Sequence, residues 1–149
     1  MSLDVTIIVP LVPIGKGRPR FGRTRTGITV AYTPEKTRTW EAAFRELVAA
    51  HLPATPIEGP VAVDVDAVLA RPASLCRRKD PGGLMWAPQK PDLDNVLKSV
   101  LDGLARHLRD DKQVVRTCVT KLYAEKDGLP RTVVRVRELA GELAVGGVL

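Results

Sequence analysis

Two aspartates separated by a single residue, Asp92 and Asp94, are the side chains whose type and spacing most suggest chemistry. Pro91 disfavours a helical conformation just before them, so the chain should arrive extended, and in an extended chain residues two apart point the same way. If a helix begins at or after Asp94, both carboxylates can face one cation. Hard oxygen ligands without Cys or His favour Mg²⁺, or Mn²⁺ as a substitute, over zinc.

Further charged residues follow along the helix that this segment begins. Lys98 and Asp102 lie one and two turns after Asp94, on the same stripe. Asp111 comes just after the helix, where the chain turns back, so a third carboxylate could return towards the first two. Lys98 is placed to stabilise charge in a transition state or to orient an attacking water. The pattern is that of metal-assisted phosphodiester hydrolysis.

The same helix has an apolar face that we expect to pack in the core. Its members lie within one sector of the helical wheel, beside the charged stripe. They are Leu93, Leu97, Val100, Leu101, Leu104 and Leu108. A charged stripe that borders a core face is where the floor of a cleft would lie.

A second interpretation of the acids needs no metal. Asp92 and Asp94 could stabilise the helix N-terminus as capping acids, and Asp94 could form a surface ion pair with Lys98. Another pair, Asp64 and Asp66, alternates in a predicted strand, so its carboxylates share one face. This pair could also form a metal site, but a solvent-exposed face is the simpler explanation, because no second cluster of acids or basic helper lies nearby in the sequence.

Basic residues are concentrated in two glycine-containing segments of a chain whose net charge is +6. Between residues 14 and 38 seven basic residues stand against one acid, and four glycines there favour a loop or a loose hairpin. The other segment is a long Pro- and Gly-rich loop, residues 71–90. The predicted DNA contacts are Lys16, Arg18, Arg20, Arg23, Arg25, Arg77, Arg78, Lys79 and Lys90. A solvated surface loop is the alternative, and Trp86 could either stack on a base or anchor its loop to the core.

Periodicity along the chain predicts an α+β fold. Alternating apolar residues indicate strands, and apolar residues three and four apart indicate two helices, the first about 17 residues long with Thr33 as N-cap and Pro34 as its first residue. The elements are a strand at 3–11, a short strand at 28–32, a helix carrying Trp40, Phe44, Leu47, Val48 and His51, a strand at 61–69, a helix at 92–108, and a β-hairpin of 114–124 with 132–138. The order β(β)αβαββ predicts one domain over residues 1–138, with a mixed or antiparallel sheet packed against two helices. Residues 139–149 are expected to form a flexible C-terminal tail.

Composition disfavours several classes of protein. No apolar run is long enough to cross a bilayer, and the first residues lack the basic-then-apolar order of a signal peptide, so we expect a cytoplasmic protein without a membrane partner. Cys76 and Cys118 have neither the spacing nor the companions for a zinc site and should be reduced and unbridged. No small-molecule cofactor is expected.

Two segments resemble the RusA family of Holliday-junction endodeoxyribonucleases, which are common in phages and prophages. One runs from Lys90 to Leu104 and contains an Asp-x-Asp-Asn-x-x-Lys helix start. The other runs from Arg109 to Val115 and contains Asp-Asp followed by Gln-Val-Val. The segment from Lys16 to Phe21, Lys-Gly-Arg-Pro-Arg-Phe, is also similar to the N-terminal segment of phage members.

The resemblance implies roles for individual residues. The essential carboxylates and metal ligands would be Asp92, Asp94 and Asp111, the essential lysine Lys98, and a further acid of the motif Asp102. Asp111 rather than the neighbouring Asp110 is implied, because the alignment is fixed by the Gln-Val-Val that begins at Gln113.

The resemblance also implies an activity and an assembly. Members are Mg²⁺-dependent homodimers that nick opposed strands of a four-way junction in DNA recombination and repair, and a two-fold dimer matches the symmetry of that substrate. Two features depart from the family: Gln89-Lys90-Pro91 stands where some members have arginines, and the loop at 71–90 is longer than in compact members. An endonuclease for other branched or flapped DNA is therefore an alternative, and so is a non-catalytic DNA-binding module.

Overall fold

The chain forms a five-stranded sheet, a separate two-stranded hairpin and two main helices. The computed structural model describes residues 2–142. In chain order the elements are β1 (Asp4–Val9), β2 (Arg20–Arg23), β3 (Thr29–Tyr32), α1 (Glu35–Ala49), β4 (Val61–Leu69), β5 (Met85–Trp86), α2 (Leu93–Leu104), β6 (Val114–Tyr123) and β7 (Arg131–Glu138). The sheet has the order β1-β7-β4-β6-β5, in which β4 and β6 are parallel and the other neighbours antiparallel. The predicted α+β class, with a mixed sheet and two helices, is confirmed.

The core lies between the two helices and one face of the sheet. Phe44 and Val48 of α1 and Val100 of α2 are fully buried and belong to one apolar cluster with the valines of β4 and β7. A Cβ atom on Gly103 would overlap the ring of Phe44. Glycine at this position therefore allows α1 and α2 to approach closely.

The buried face of α2 differs from the predicted one. Leu93 is 45% exposed, and Leu97 and Leu101 are only half-buried. Ser99 and Gly103 are buried instead. The prediction followed the large apolar residues, but close packing against α1 requires small side chains on the facing surface, so the leucines lie at its margins.

The helix boundaries also differ from those predicted. α1 begins at Glu35 and has Pro34 as its N-cap, one residue later than expected. Leu47 is 36% exposed and His51 is exposed, so neither lies in the core. α2 ends at Leu104, four residues early, and a 3₁₀ turn follows it.

The predicted hairpin of β6 with β7 is wrong, because β4 lies between these strands. β4 is buried along most of its length, and a hairpin of β6 with β7 would have left one edge of this apolar strand without a partner. The chain after β6 therefore crosses the end of β4, where the Ala124 N–H donates to the Leu69 carbonyl at 2.8 Å. Within this connection a side-chain hydrogen bond from Arg131 lowers the pKa of Glu125 to about 2.

The long loop at 71–90 is folded around a single guanidinium group. Arg71 donates hydrogen bonds to the carbonyl oxygens of Leu75 (3.3 Å), Pro81 (2.6 Å), Ala124 (2.9 Å) and Gly83. The loop also contains a 3₁₀ turn and the short strand β5, which pairs with the end of β6. What was expected to be an irregular loop therefore contains regular elements.

The β2–β3 hairpin and residues 139–142 lie outside the core. The expected strand at 28–32 is β3, which pairs with β2 in an exposed hairpin, consistent with the loose hairpin considered from the sequence. The predicted tail begins at Leu139, whose N–H donates to the Pro60 carbonyl at 2.8 Å, but its residues 143–149 lie outside the described residues. No helix in residues 2–142 has the length and apolar character to span a membrane.

Candidate active site and nucleic-acid interface

Asp92 and Asp94 stand at the start of α2 with their carboxylates exposed. Asp92 is the N-cap residue and is extended, with φ −67° and ψ 147°, but α2 begins at Leu93, one residue before the start at Asp94 on which the predicted common orientation of the two carboxylates depended. Its side chain makes no capping hydrogen bond to the helix. Among residues 2–142 no ion pair joins Asp94 to Lys98. The contacts required by the alternative without a metal, a side-chain cap and a surface ion pair, are therefore absent from the described part of the chain.

A lysine of β6 holds the segment that leads into Asp92. The Lys121 ammonium donates to the carbonyl oxygens of Gln89 and of Pro91, the latter at 2.9 Å. Pro91 directly precedes Asp92, so these two hydrogen bonds fix the extended approach to α2. No local pattern predicts this contact, because Lys121 lies 30 positions after Pro91.

The N-terminal arm, residues 13–20, holds the same segment from another side. The Lys16 N–H donates to the Asn95 carbonyl at 3.0 Å. A Cβ atom on Gly15 would lie 3.1 Å from the Pro91 Cβ and 3.3 Å from the Asn95 Cβ, so this glycine permits close contact between the arm and the start of α2.

Asp111 opens a 3₁₀ turn that joins the end of α2 to β6. Asp110 is the N-cap of this turn and accepts a hydrogen bond from the Lys112 N–H at 2.9 Å. The Gln113 side chain accepts from the Asp110 N–H at 2.8 Å and donates to the Ile57 carbonyl at 2.7 Å. The Asp110 carboxylate thus has structural contacts, whereas the Asp111 carboxylate makes no hydrogen bond or ion pair within residues 2–142.

Within one chain, Asp111 lies far from the two aspartates at the start of α2. β6 starts at Val114, just after the Asp111 turn, whereas Lys121 near its other end contacts the segment before Asp92. Seven residues separate these two positions of β6, which corresponds to about 23 Å of strand. Consistent with this, no group of three Asp, Glu, His or Cys side chains within residues 2–142 could hold one metal ion.

An open cleft of about 750 Å³ lies beside Asp92, and we call it the arm cleft. Its walls are the N-terminal arm, the first turn of α1 and the segment from Lys90 to Asn95. The basic side chains that line it are Arg18, Arg20, Lys36 and Lys90. Lys36 was not among the predicted DNA contacts, although it belongs to the basic segment 14–38.

The comparison with known proteins decides the family. The family model described as Endodeoxyribonuclease RusA matches residues 10–137. The chain belongs to the RusA family. A relative from Bacillus subtilis (strain 168), "Uncharacterized protein YqaN", is 36% identical over 135 residues, which cover 86% of this chain and 92% of that protein. Membership of the RusA family implies a Holliday-junction endonuclease, and RusA nucleases generally depend on a divalent metal and act on branched DNA.

Two charged residues of the RusA-like pattern bind each other. The Lys16 ammonium contacts the carboxylate of Glu41 and, at 3.0 Å, that of Asp102. Burial lowers the pKa of Lys16, but the two carboxylates together outweigh this effect and raise it above its ordinary value. Lys16 and Asp102 therefore tie the N-terminal arm to both helices.

The basic residues of the loop at 71–90 fall into two groups. Arg77 forms an ion pair with Asp80 at 3.1 Å. Arg78 and Lys79 are exposed and have no ion pair within residues 2–142. The same is true of Arg23 and Arg25 in the β2–β3 hairpin.

The remaining residues weighed from the sequence lie outside this site. Trp86 is 76% exposed, so it does not anchor its loop in the core; it lines a shallow groove with Leu93 beside the start of α2. Asp64 forms an ion pair with Arg137 at 2.9 Å on the sheet. Cys76 and Cys118 are free.

Proposed function

We propose that this RusA-family protein is a Mg²⁺-dependent, structure-selective endodeoxyribonuclease that resolves Holliday junctions by paired symmetric nicks, in DNA recombination and repair. One observation carries the proposal. The carboxylates of Asp92, Asp94 and Asp111, which the resemblance of the sequence to the RusA family implies as its essential acids, make no hydrogen bond or ion pair within residues 2–142. Acids that only capped a helix or balanced surface charge would be in contact with their partners.

The donor atoms fit a hard divalent cation. Asp92 and Asp94 would bind Mg²⁺, or Mn²⁺ in its place, with Asp111 as the third acid. Mg²⁺ commonly takes one or two carboxylates and completes its coordination with water and phosphate oxygens, so the pair at the start of α2 suits it. When bound, the cation would lower the pKa of a water molecule and polarise the phosphoryl oxygen.

Lys98 would act on the phosphate rather than on the metal. It is exposed one turn after Asp94 and forms no ion pair with a carboxylate within residues 2–142. Its ammonium is therefore available to stabilise the negative charge that develops on the phosphate oxygens or to orient the attacking water.

We further propose that the protein acts as a homodimer joined through β6. β5 pairs with this edge at Leu122 and Tyr123, and the Ala87 N–H that follows it donates to the Lys121 carbonyl at 3.2 Å, which leaves residues 114–120 without a partner strand on that side in the described chain. An antiparallel pair of β6 strands would set the start of one strand beside the end of the other. Asp111 of the partner subunit would then approach Asp92 and Asp94, which it does not reach within its own chain.

Cleavage of forks and flaps is the second candidate function. The observation that favours it is the exposed Trp86, which lies beside the start of α2 and could stack on an unpaired base that is not specific to a four-way junction.

The test compares three substrates with and without Mg²⁺: a mobile four-way junction, a fork and a linear duplex. We expect paired symmetric nicks on the junction alone, and only with the cation. Cutting of the fork as well would favour the second candidate. Cutting without any divalent cation would contradict the metal assignment.

Asp94→Asn should abolish cutting and leave junction binding largely intact, because it removes a metal ligand but no DNA contact. Asp127→Asn is the matched control, since Asp127 is an exposed turn residue whose loss changes the net charge equally. The measurements are the cleavage rate and the Kd for the junction. An Asp94→Asn variant that cuts at the rate of the Asp127→Asn variant would show that the site lies elsewhere.

A further inference from the structure

We infer that the arm cleft binds the phosphate backbone of DNA beside Asp92, and that Lys36 is one of its phosphate ligands. The inference rests on the proposed function, because it names the path of the substrate into the same site. Phosphate oxygens are the ligands expected for Arg and Lys side chains that line a groove without acidic partners.

The charges of the cleft point to a polyanion. Arg18, Arg20, Lys36 and Lys90 line it, and none of them forms an ion pair within residues 2–142. Among the described residues that line the cleft, the one carboxylate is that of Asp92. Elsewhere in the described chain some basic side chains contact acids, namely Lys16, Arg45, Arg77, Arg109, Lys112, Arg131, Arg135 and Arg137, whereas others, such as Arg78 and Lys79, form no ion pair.

The arm that forms one wall is fixed rather than loose. Lys16 binds Glu41 of α1 and Asp102 of α2, which pins the arm to both helices. A Cβ atom on Gly17 would lie 2.6 Å from the Thr37 hydroxyl oxygen, so the arm packs directly against the first turn of α1. The cationic groups are therefore positioned before a ligand binds, which limits the entropy lost on binding.

The experiment compares Lys36→Gln with Arg38→Gln. Both residues are exposed on α1 and both changes remove one positive charge, but Arg38 lies two positions on, on the other side of the helix, and does not line the cleft. The Kd for a short single-stranded oligonucleotide and for the four-way junction is measured over a range of salt concentrations. Lys36→Gln should weaken both affinities and reduce the slope of log K against log salt by about 1, and Arg38→Gln should change the slope much less.

The outcomes separate this inference from the proposed function. Equal effects of the two variants would overturn the assignment of Lys36 and of the cleft. If the wild-type protein fails to cut the junction while Lys36→Gln alone weakens oligonucleotide binding, the nuclease proposal fails but the assignment of the arm cleft as a phosphate-binding site stands. Unchanged thermal unfolding of both variants is expected, because neither side chain forms an ion pair in the described chain, and a lower midpoint for Lys36→Gln alone would contradict its assignment as a ligand.

Discussion

Asp110 and Asp111 show how neighbouring residues of one type can have different roles. The Asp110 carboxylate accepts the Lys112 N–H and caps the turn, whereas the Asp111 carboxylate makes no hydrogen bond or ion pair in the described chain. We expect Asp111→Asn to abolish Mg²⁺-dependent cutting without changing thermal stability. Asp110→Ala should lower the free energy of unfolding by about 1 kcal/mol, the usual cost of a lost N-cap, and should reduce cutting only partly.

Cleavage assays and denaturant unfolding of the two variants measure these effects. The reverse pattern, with Asp110→Ala inactive and Asp111→Asn active, would mean that Asp110 and not Asp111 is the essential acid of the motif.

Single residues also show what the sequence can predict. Pro91 predicts only that Lys90 is not helical, because a proline restricts the residue before it, so the start of α2 at Leu93 did not follow from it. The contact of Lys16 with Glu41 and Asp102 did not follow from any pattern, since those residues lie 25 and 86 positions away and meet only when α1 and α2 pack. Lys16 was therefore predicted as a DNA contact without regard to the two acids beside it.

At the scale of elements, Lys121 of β6 is a positioning residue for the start of α2. Its ammonium holds the carbonyls of Gln89 and Pro91, and so sets where Asp92 stands. We expect Lys121→Met to raise the Mg²⁺ concentration needed for half-maximal cutting by several-fold, because the carboxylate pair loses its fixed geometry. Lys121→Arg should raise the Mg²⁺ requirement less than Lys121→Met does, because an arginine can still donate to the two carbonyl oxygens.

Lys126→Met is the matched control, because Lys126 also holds a loop carbonyl, that of Arg77, at 2.6 Å. It should leave the Mg²⁺ requirement unchanged. If both lysine variants shift the Mg²⁺ titration equally, Lys121 acts through general stability and has no particular role at the site.

The positions of the strands and helices were predicted better than the way in which they pair and pack. Strands and helices follow from periodicity, which is local, so the α+β class and the order of the main elements were correct, although the short strands β2 and β5 were not predicted. The pairing of β6 and β7 was wrong because strand order depends on which edges of β4 must be covered. The burial of Ser99 and Gly103 was also missed, because it depends on the close approach of α1 to α2 and not on the hydrophobicity of α2.

At the scale of the whole molecule, the separation of the acids is the feature that requires explanation. Asp111 lies at the start of β6, and the segment before Asp92 is held near its end, about 23 Å of strand away. The dimer that we propose through the open edge of β6 would reverse one strand against the other. Each of its two sites would then combine Asp92 and Asp94 from one subunit with Asp111 of the partner subunit.

Mixing two inactive variants tests this arrangement. In a mixed dimer of Asp94→Asn with Asp111→Asn, one site would contain both substitutions and the other would contain none. We therefore expect the mixture to nick a four-way junction in one strand only, although each variant alone is inactive. The products are resolved by strand-specific end labels, and the fraction of mixed dimer is measured by native mass spectrometry with one variant isotope-labelled. If each site used acids of a single chain, both sites of the mixed dimer would carry one substitution, and no nicking would appear at any mixing ratio.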